Sequence, residues 1–142
     1  MRIGIRREDK NEWEARVPLI PSDVKKLAND GIKVILQPSP IRIFSDQEYI
    51  DVGAMISEDL SSCSVILAVK EIPINFIEKG KTYVFFSHTI KGQDYNIPLL
   101  QKMIDEKTQL IDYERIVDEK GQRLIFFGRH AGLAGMIDSF WA

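Results

Sequence analysis

Four apolar runs in this sequence each end in groups that can bind anions or carry protons. RIGIR (2–6) is followed by Arg7 and a long loop that carries Arg16. SVILAV (64–69) leads into Lys70 and Glu71, KTYVFF (81–86) into Ser87 and His88, and QLID (109–112) into Tyr113 and Glu114. Guanidinium and ammonium groups hold carboxylates through charge-assisted hydrogen bonds. An imidazole gains and loses a proton near neutral pH. Brought to one place, these groups would grip an anionic substrate and run general acid–base chemistry on it. A plainer reading stands beside this one. Strand ends lead into loops and loops are polar, so Lys70 and Glu71 could be a solvated pair and His88 an ordinary loop histidine. Arg16, inside EARVPL, could be half of a surface ion pair worth little. Spacing alone leaves both readings open.

Other reactive types fare worse. Cys63, in SSCS, has no second cysteine or nearby histidine and reads as a small buried side chain. His130 lacks a carboxylate at metal-ligand spacing, so no metal site is expected. Gly128, Gly132 and Gly135 in GRHAGLAG look superficially like a phosphate-binding turn. They fall inside an apparent helix, without the strand that should precede such a turn, and read as packing glycines. The chain carries no nucleotide fingerprint of its own.

The elements that must position these groups follow from apolar periodicity. Strands are expected at 2–6, 32–36, 64–69, 81–86, 109–112 and 123–127, with a brief one at 54–56 and a turn at 119–121. A helix begins at Pro21 and stops before Gly31, a proline start and a glycine end. A short helix at 46–52 has Ser45 as its N-cap. A third covers 94–107, with Leu99, Leu100, Met103 and Ile104 on one face. Strands alternating with helices, and near-continuous apolar runs such as SVILAV, predict an α/β fold with a doubly wound, mostly parallel sheet. In such sheets ligands bind beyond the carboxyl ends of the strands, where the candidate residues lie. A final helix at 131–141, rich in small residues, is suited to docking on something outside the domain. The chain ends inside that pattern, which reads as a piece of a longer protein.

Composition bounds the rest. A chain of 142 residues, 44% hydrophobic and 28% charged, is one ordinary globular domain. A net charge of −2 gives no global reason to expect nucleic acid or an anionic membrane as partner. No apolar run approaches the roughly 20 residues of a bilayer span, and the start has no signal-peptide core. A single cysteine suits a reducing compartment. The expected location is cytoplasmic, or mitochondrial if a transit peptide has been removed.

IGIRREDKNEWEARVPLIP resembles the opening of the alanine dehydrogenase and pyridine nucleotide transhydrogenase N-terminal domain family. AVKEIP, FFSHTIKGQ and LIDYERIVDEKGQRLIFFGRHAGLAGM are similar to its saccharopine dehydrogenase (lysine-forming) branch, and in particular to the lysine-ketoglutarate reductase part of the bifunctional aminoadipic semialdehyde synthases. The resemblance covers essentially the whole chain. It implies a Rossmann-like or flavodoxin-like substrate domain of a two-domain dehydrogenase. Residues 1–129 would be that domain, and 130–142 the start of a helix leading to a dinucleotide-binding domain. The implied partners are that second domain, an amino acid and a 2-oxo acid; the implied cofactor is NADP or NAD, bound mainly by the second domain. By position, the resemblance makes Lys70 and His88 the proton-transfer residues and Arg16 the holder of a substrate carboxylate. Glu71 would tune the lysine beside it, while Glu114 and Arg123 would line the pocket. Thr89-Ile90-Lys91 stands where alanine dehydrogenases carry an apolar pair, which favours the saccharopine branch. Alanine dehydrogenase or another opine-forming reductase is the near alternative. A stand-alone ligand-binding module without catalysis is the alternative of another class.

Overall fold

A computed structural model describes residues 1–141. Six short apolar runs form one sheet: β1 (Arg2–Ile5), β2 (Lys33–Leu36), β3 (Met55–Ile56), β4 (Val65–Leu67), β5 (Thr82–Phe85) and β6 (Gln109–Asp112). Every pairing is parallel, in the order β3-β2-β1-β4-β5-β6. The chain builds outward from β1 in one direction, then starts again at β4 and builds in the other. The switch point therefore lies between β1 and β4, where Ile3 faces Val65 and Ile5 faces Leu67. That is where loops leaving two neighbouring strands diverge and open a crevice.

Both sheet faces are covered, as a doubly wound fold requires. Helices α1 (Pro21–Asn29) and α2 (Asp46–Ile50) lie on one face, where Val24 and Tyr49 pack with Ile5, Val34 and Leu36. Helix α3 (Ile97–Asp105) lies on the other, its Leu99 and Met103 packed with Ile66, Tyr83 and Phe85. Ser45 caps α2 with a full capping box: its hydroxyl accepts from the Glu48 N–H and its own N–H donates to the Glu48 carboxylate. Cys63 is buried in the second core.

Three expectations are corrected. Residues 123–127 form no strand. Arg123 makes a single antiparallel bridge with Val117, and Leu124 N–H donates to the Ile116 carbonyl. The segment folds back on the chain before it and is drawn over the cleft by Phe127, which packs on Phe86 and under the Arg16 guanidinium. The helix expected at 94–107 begins as a 3-10 turn (Asp94–Asn96) and becomes α-helical from Ile97. Pro98 sits in the first α-turn, where its missing N–H leaves no bond unmade. The last helix, α4 (Gly128–Trp141), starts at Gly128 and is exposed along its whole length. A Cβ added at Gly128, Gly132 or Gly135 would meet nothing within 4 Å, so these glycines pack against nothing among the described residues.

No helix among the described residues is long and apolar enough to cross a membrane.

Candidate active site

A cavity of about 310 Å³ opens at the carboxyl ends of the central strands, lined among others by Arg16, Lys70, His88, Glu114 and Arg123. Five of the six residues singled out from the sequence thus share one cavity. The sixth, Glu71, opens on a neighbouring groove of about 860 Å³, yet its Oε1 stands 3.9 Å from His88 Nε2.

Lys70 follows β4 at the switch point. β1 departs after the Arg6 N–H has bonded the Leu67 carbonyl, and the next N–H groups of β4 lose their strand partner there. The buried Glu8 carboxylate takes that place: Oε1 accepts from the Val69 N–H at 2.6 Å and Oε2 from the Lys70 N–H at 2.9 Å. Burial pushes the Glu8 carboxyl up, against those two backbone hydrogen bonds, which favour the charged form. Among the described residues no carboxylate stands within 4.0 Å of the Lys70 ammonium.

Arg16 lies in the long loop after β1, its Nε and Nη2 donating to the two carboxylate oxygens of Glu14 at 2.6 and 2.5 Å. Glu14 is buried, so this is a fixed fork rather than a loose surface pair. The hydrogen bond from Arg16 holds the Glu14 carboxyl below its ordinary range, and the same bond raises the guanidinium further. The Arg16 guanidinium carbon lies 4.8 Å from the centre of the Phe127 ring. Its Nη1 makes no hydrogen bond among the described residues, which leaves a donor for a carboxylate in the cavity.

His88 sits just past β5 in a left-handed conformation, φ 54° and ψ 10°. Its ring stacks near Phe86, at 22° between planes. Nδ1 is 3.1 Å from the Lys91 ammonium and 3.4 Å from Glu114 Oε1. Since an ammonium can only donate, the Lys91 contact favours the tautomer with its proton on Nε2, facing Glu71. Glu114 Oε1 also stands 3.4 Å from Lys91 Nζ and 3.6 Å from Arg123 Nη2. Glu71 gives its other oxygen to Lys10 at 2.6 Å. Burial pushes the Glu71 carboxyl up, but the hydrogen bond and charge of Lys10, a backbone bond and His88 together bring it below its ordinary range. Glu71 Oε1 is buried without a hydrogen-bond partner and faces the histidine, whereas its position in sequence suggests a partner for Lys70.

Sequence reasoning missed Glu8, Glu14, Lys10 and Lys91, as well as the aromatic wall of Phe126 and Phe127. Lys91, three residues beyond His88 in the next turn, was within reach of spacing. Glu8 sits among Arg6, Arg7, Asp9 and Lys10, and nothing marks it out from that run. No group of three or more His, Cys, Asp or Glu side chains is arranged to hold a metal ion among the described residues.

The cavity brings two guanidinium groups, an ammonium, an imidazole and a carboxylate to one place, and comparison with known proteins places the chain in a family. The family described as "Alanine dehydrogenase/PNT, N-terminal domain" matches residues 4–134. The chain belongs to that family. It is 46% identical over 136 residues to the mitochondrial alpha-aminoadipic semialdehyde synthase of Bos taurus, covering 96% of this chain and 15% of that protein. It is 34% identical over 140 residues to the saccharopine dehydrogenase [NAD(+), L-lysine-forming] of Yarrowia lipolytica, covering 95% of this chain and 38% of that one. The chain thus spans well under half the length of these homologues. Among solved structures of the family's fold, a transhydrogenase from Sinorhizobium meliloti superposes with a TM-score of 0.76 at 22% identity, over 98% of this chain and 44% of the other. An L-alanine dehydrogenase gives a TM-score of 0.71 at 23% identity, over 86% of this chain and 35% of the other. These two likenesses establish the doubly wound fold.

Proposed function

We propose that this chain is the substrate-side domain of a lysine-forming saccharopine dehydrogenase or lysine-ketoglutarate reductase, which joins the ε-amine of lysine to 2-oxoglutarate. The observation that carries the reading is the single cavity lined by Arg16, Lys70, His88, Glu114 and Arg123. Homology to the synthases and saccharopine dehydrogenases supports the choice of substrates. The cavity volume suits an amino-acid-sized ligand.

In this reading Arg16, through Nη1, and Arg123 hold carboxylates of the 2-oxo acid, and the carboxylates of Glu114 and Glu71 lie towards an incoming amine. The amine adds to the ketone carbon. A proton then leaves nitrogen and another reaches the carbinolamine oxygen, so that water departs and the imine forms. Lys70 and His88 take up and deliver those protons. Phe86, Phe126 and Phe127 wall the cavity and limit water around the imine.

The residues present do not fit a dinucleotide. The glycines of GRHAGLAG stand inside α4 rather than in a turn between a strand and a helix, and the strand ends around the cavity carry charged side chains where a diphosphate needs close backbone. We infer that a nicotinamide nucleotide, NAD or NADP, is held by a dinucleotide-binding domain beyond residues 1–129, with α4 leading towards it. When bound, that nucleotide supplies the hydride that reduces the imine.

The test uses the intact longer protein with lysine, 2-oxoglutarate and NADH or NADPH. Lys70→Met and His88→Gln are each expected to lower kcat by about a hundredfold or more. Unchanged turnover in both variants would remove them from the chemistry. Turnover with alanine or another amine donor in place of lysine would reassign the substrate.

A further inference from the structure

Ser87 and Asp112 lie beneath the cavity, and the chemistry above uses neither. Ser87 is 0% exposed and Asp112 8%. The Ser87 hydroxyl donates to Asp112 Oδ2 at 2.5 Å. Its one proton being spent there, the oxygen can only accept from Thr89, whose hydroxyl lies at 2.8 Å and whose N–H lies at 3.2 Å. The other Asp112 oxygen, Oδ1, accepts from the Glu114 N–H at 2.8 Å. One buried carboxylate therefore ties the exit of β5 to the exit of β6, just past their last paired residues, Phe85 and Asp112. His88 stands between Ser87 and Thr89, the two residues whose side chain and backbone close over it. Glu114 stands at the other end of the same carboxylate.

His88 and Lys107 are the non-glycine residues with positive φ among those described. A side chain in that region is held by its surroundings rather than by its own preference. The Thr89 N–H bond to Ser87 Oγ spans His88 and fixes the direction in which the chain leaves it.

We propose that Asp112 and Ser87 are positioning residues that lock His88 in its left-handed turn and so hold its ring beside Glu114. The consequence for turnover rests on the proposed role of His88 as a proton carrier; the lock itself is independent of it. Charge-assisted hydrogen bonds out of reach of water are the strong class, so the lock is rigid where a solvated one would not be.

The test reads His88 directly, by NMR of the isotopically labelled full chain, with His130→Gln assigning the two imidazoles. Backbone 13C shifts report the left-handed turn, and imidazole 15N shifts report the tautomer. Ser87→Ala and Asp112→Ala are expected to shift His88 out of the left-handed region or split its signals, and to mix its tautomers. Asp112→Asn keeps a carbonyl for the Glu114 N–H and offers Ser87 a donor, and is expected to restore both signatures. In the intact enzyme, Ser87→Ala is expected to lower kcat by about tenfold to a hundredfold with KM for the 2-oxo acid nearly constant. Unaltered His88 signals in the alanine variants would overturn the lock. Should Asp112→Ala fail to fold, Ser87→Ala, which removes one hydroxyl, decides alone. His88 signals that respond as expected, in a protein whose wild type shows no turnover, would uphold the lock and sink the proposed reaction instead.

Discussion

Glu114 shows how much of the cleft depends on single side chains. One of its oxygens lies 3.6 Å from Arg123 Nη2 and 3.4 Å from Lys91 Nζ, so two cations share its charge, and the same oxygen stands 3.4 Å from the His88 ring. Arg16 is fixed in the same spirit by Glu14, and its fork geometry is something a lysine cannot copy. On the proposed reaction, Arg16→Lys is expected to raise KM for 2-oxoglutarate by about tenfold, the loss of one charge-assisted bond of about 1.5 kcal/mol, with a smaller change in kcat. Steady-state kinetics of the intact longer protein measures this. A KM that does not move would place the carboxylate elsewhere. At this scale the sequence was informative where residue type and strand end coincided, as for Lys70, His88 and Glu114. It was silent where a group acts through tertiary contact alone. Glu8 reaches the backbone of Lys70 across 62 residues, and no local pattern encodes that reach.

At the scale of elements, the strand ends do the positioning, and short helices hold the strands in place. Ser45 donates and accepts in the capping box of α2, whose Tyr49 is fully buried in the core over β1 and β2. Ser45→Ala is expected to lower stability by about 1 kcal/mol, read by denaturant unfolding. An unchanged midpoint would mean that packing of Tyr49 alone holds α2. Glu8→Ala is expected to destabilise the exit of β4 and to raise amide hydrogen exchange at Val69 and Lys70 above that of the β1–β4 ladder. Equal protection at those two amides in the variant would contradict the clamp. The strands of the central sheet were readable because a parallel sheet covered on both faces demands apolar runs, and 109–112 was placed to the residue. The run 123–127 has the same composition and no strand. Its Phe127 packs on Phe86 and under Arg16, so its apolar character serves a cleft wall, which periodicity cannot distinguish from a strand.

The whole molecule links its stability to pH at both ends of the scale. Glu14 is held below its ordinary carboxylate range by Arg16, so the stability it contributes is present above about pH 4.5 and is lost as pH falls through the lower folded value. Burial pushes the hydroxyls of Tyr49 and Tyr113 up to about 12. Their folded values lie above the ordinary 10.0, so the stability they contribute is complete below pH 10 and is lost as pH rises towards 12. Thermal unfolding of the protein and of Tyr113→Phe between pH 9 and pH 12 is expected to show a shallower alkaline decline in the variant. Identical declines would show that the Tyr113 hydroxyl is not shielded. The doubly wound sheet gathers groups from residues 16 to 123 at one crevice, and the account as a whole stands on that crevice binding substrate. The most direct measurement is a crystal structure of the intact protein with saccharopine. The account predicts a ligand carboxylate on Arg16 and the secondary amine between Lys70 and His88. A ligand seated instead in the neighbouring groove of Asp9, Asn75 and Lys102, with the cavity of Lys70 and His88 empty of it, would contradict the account.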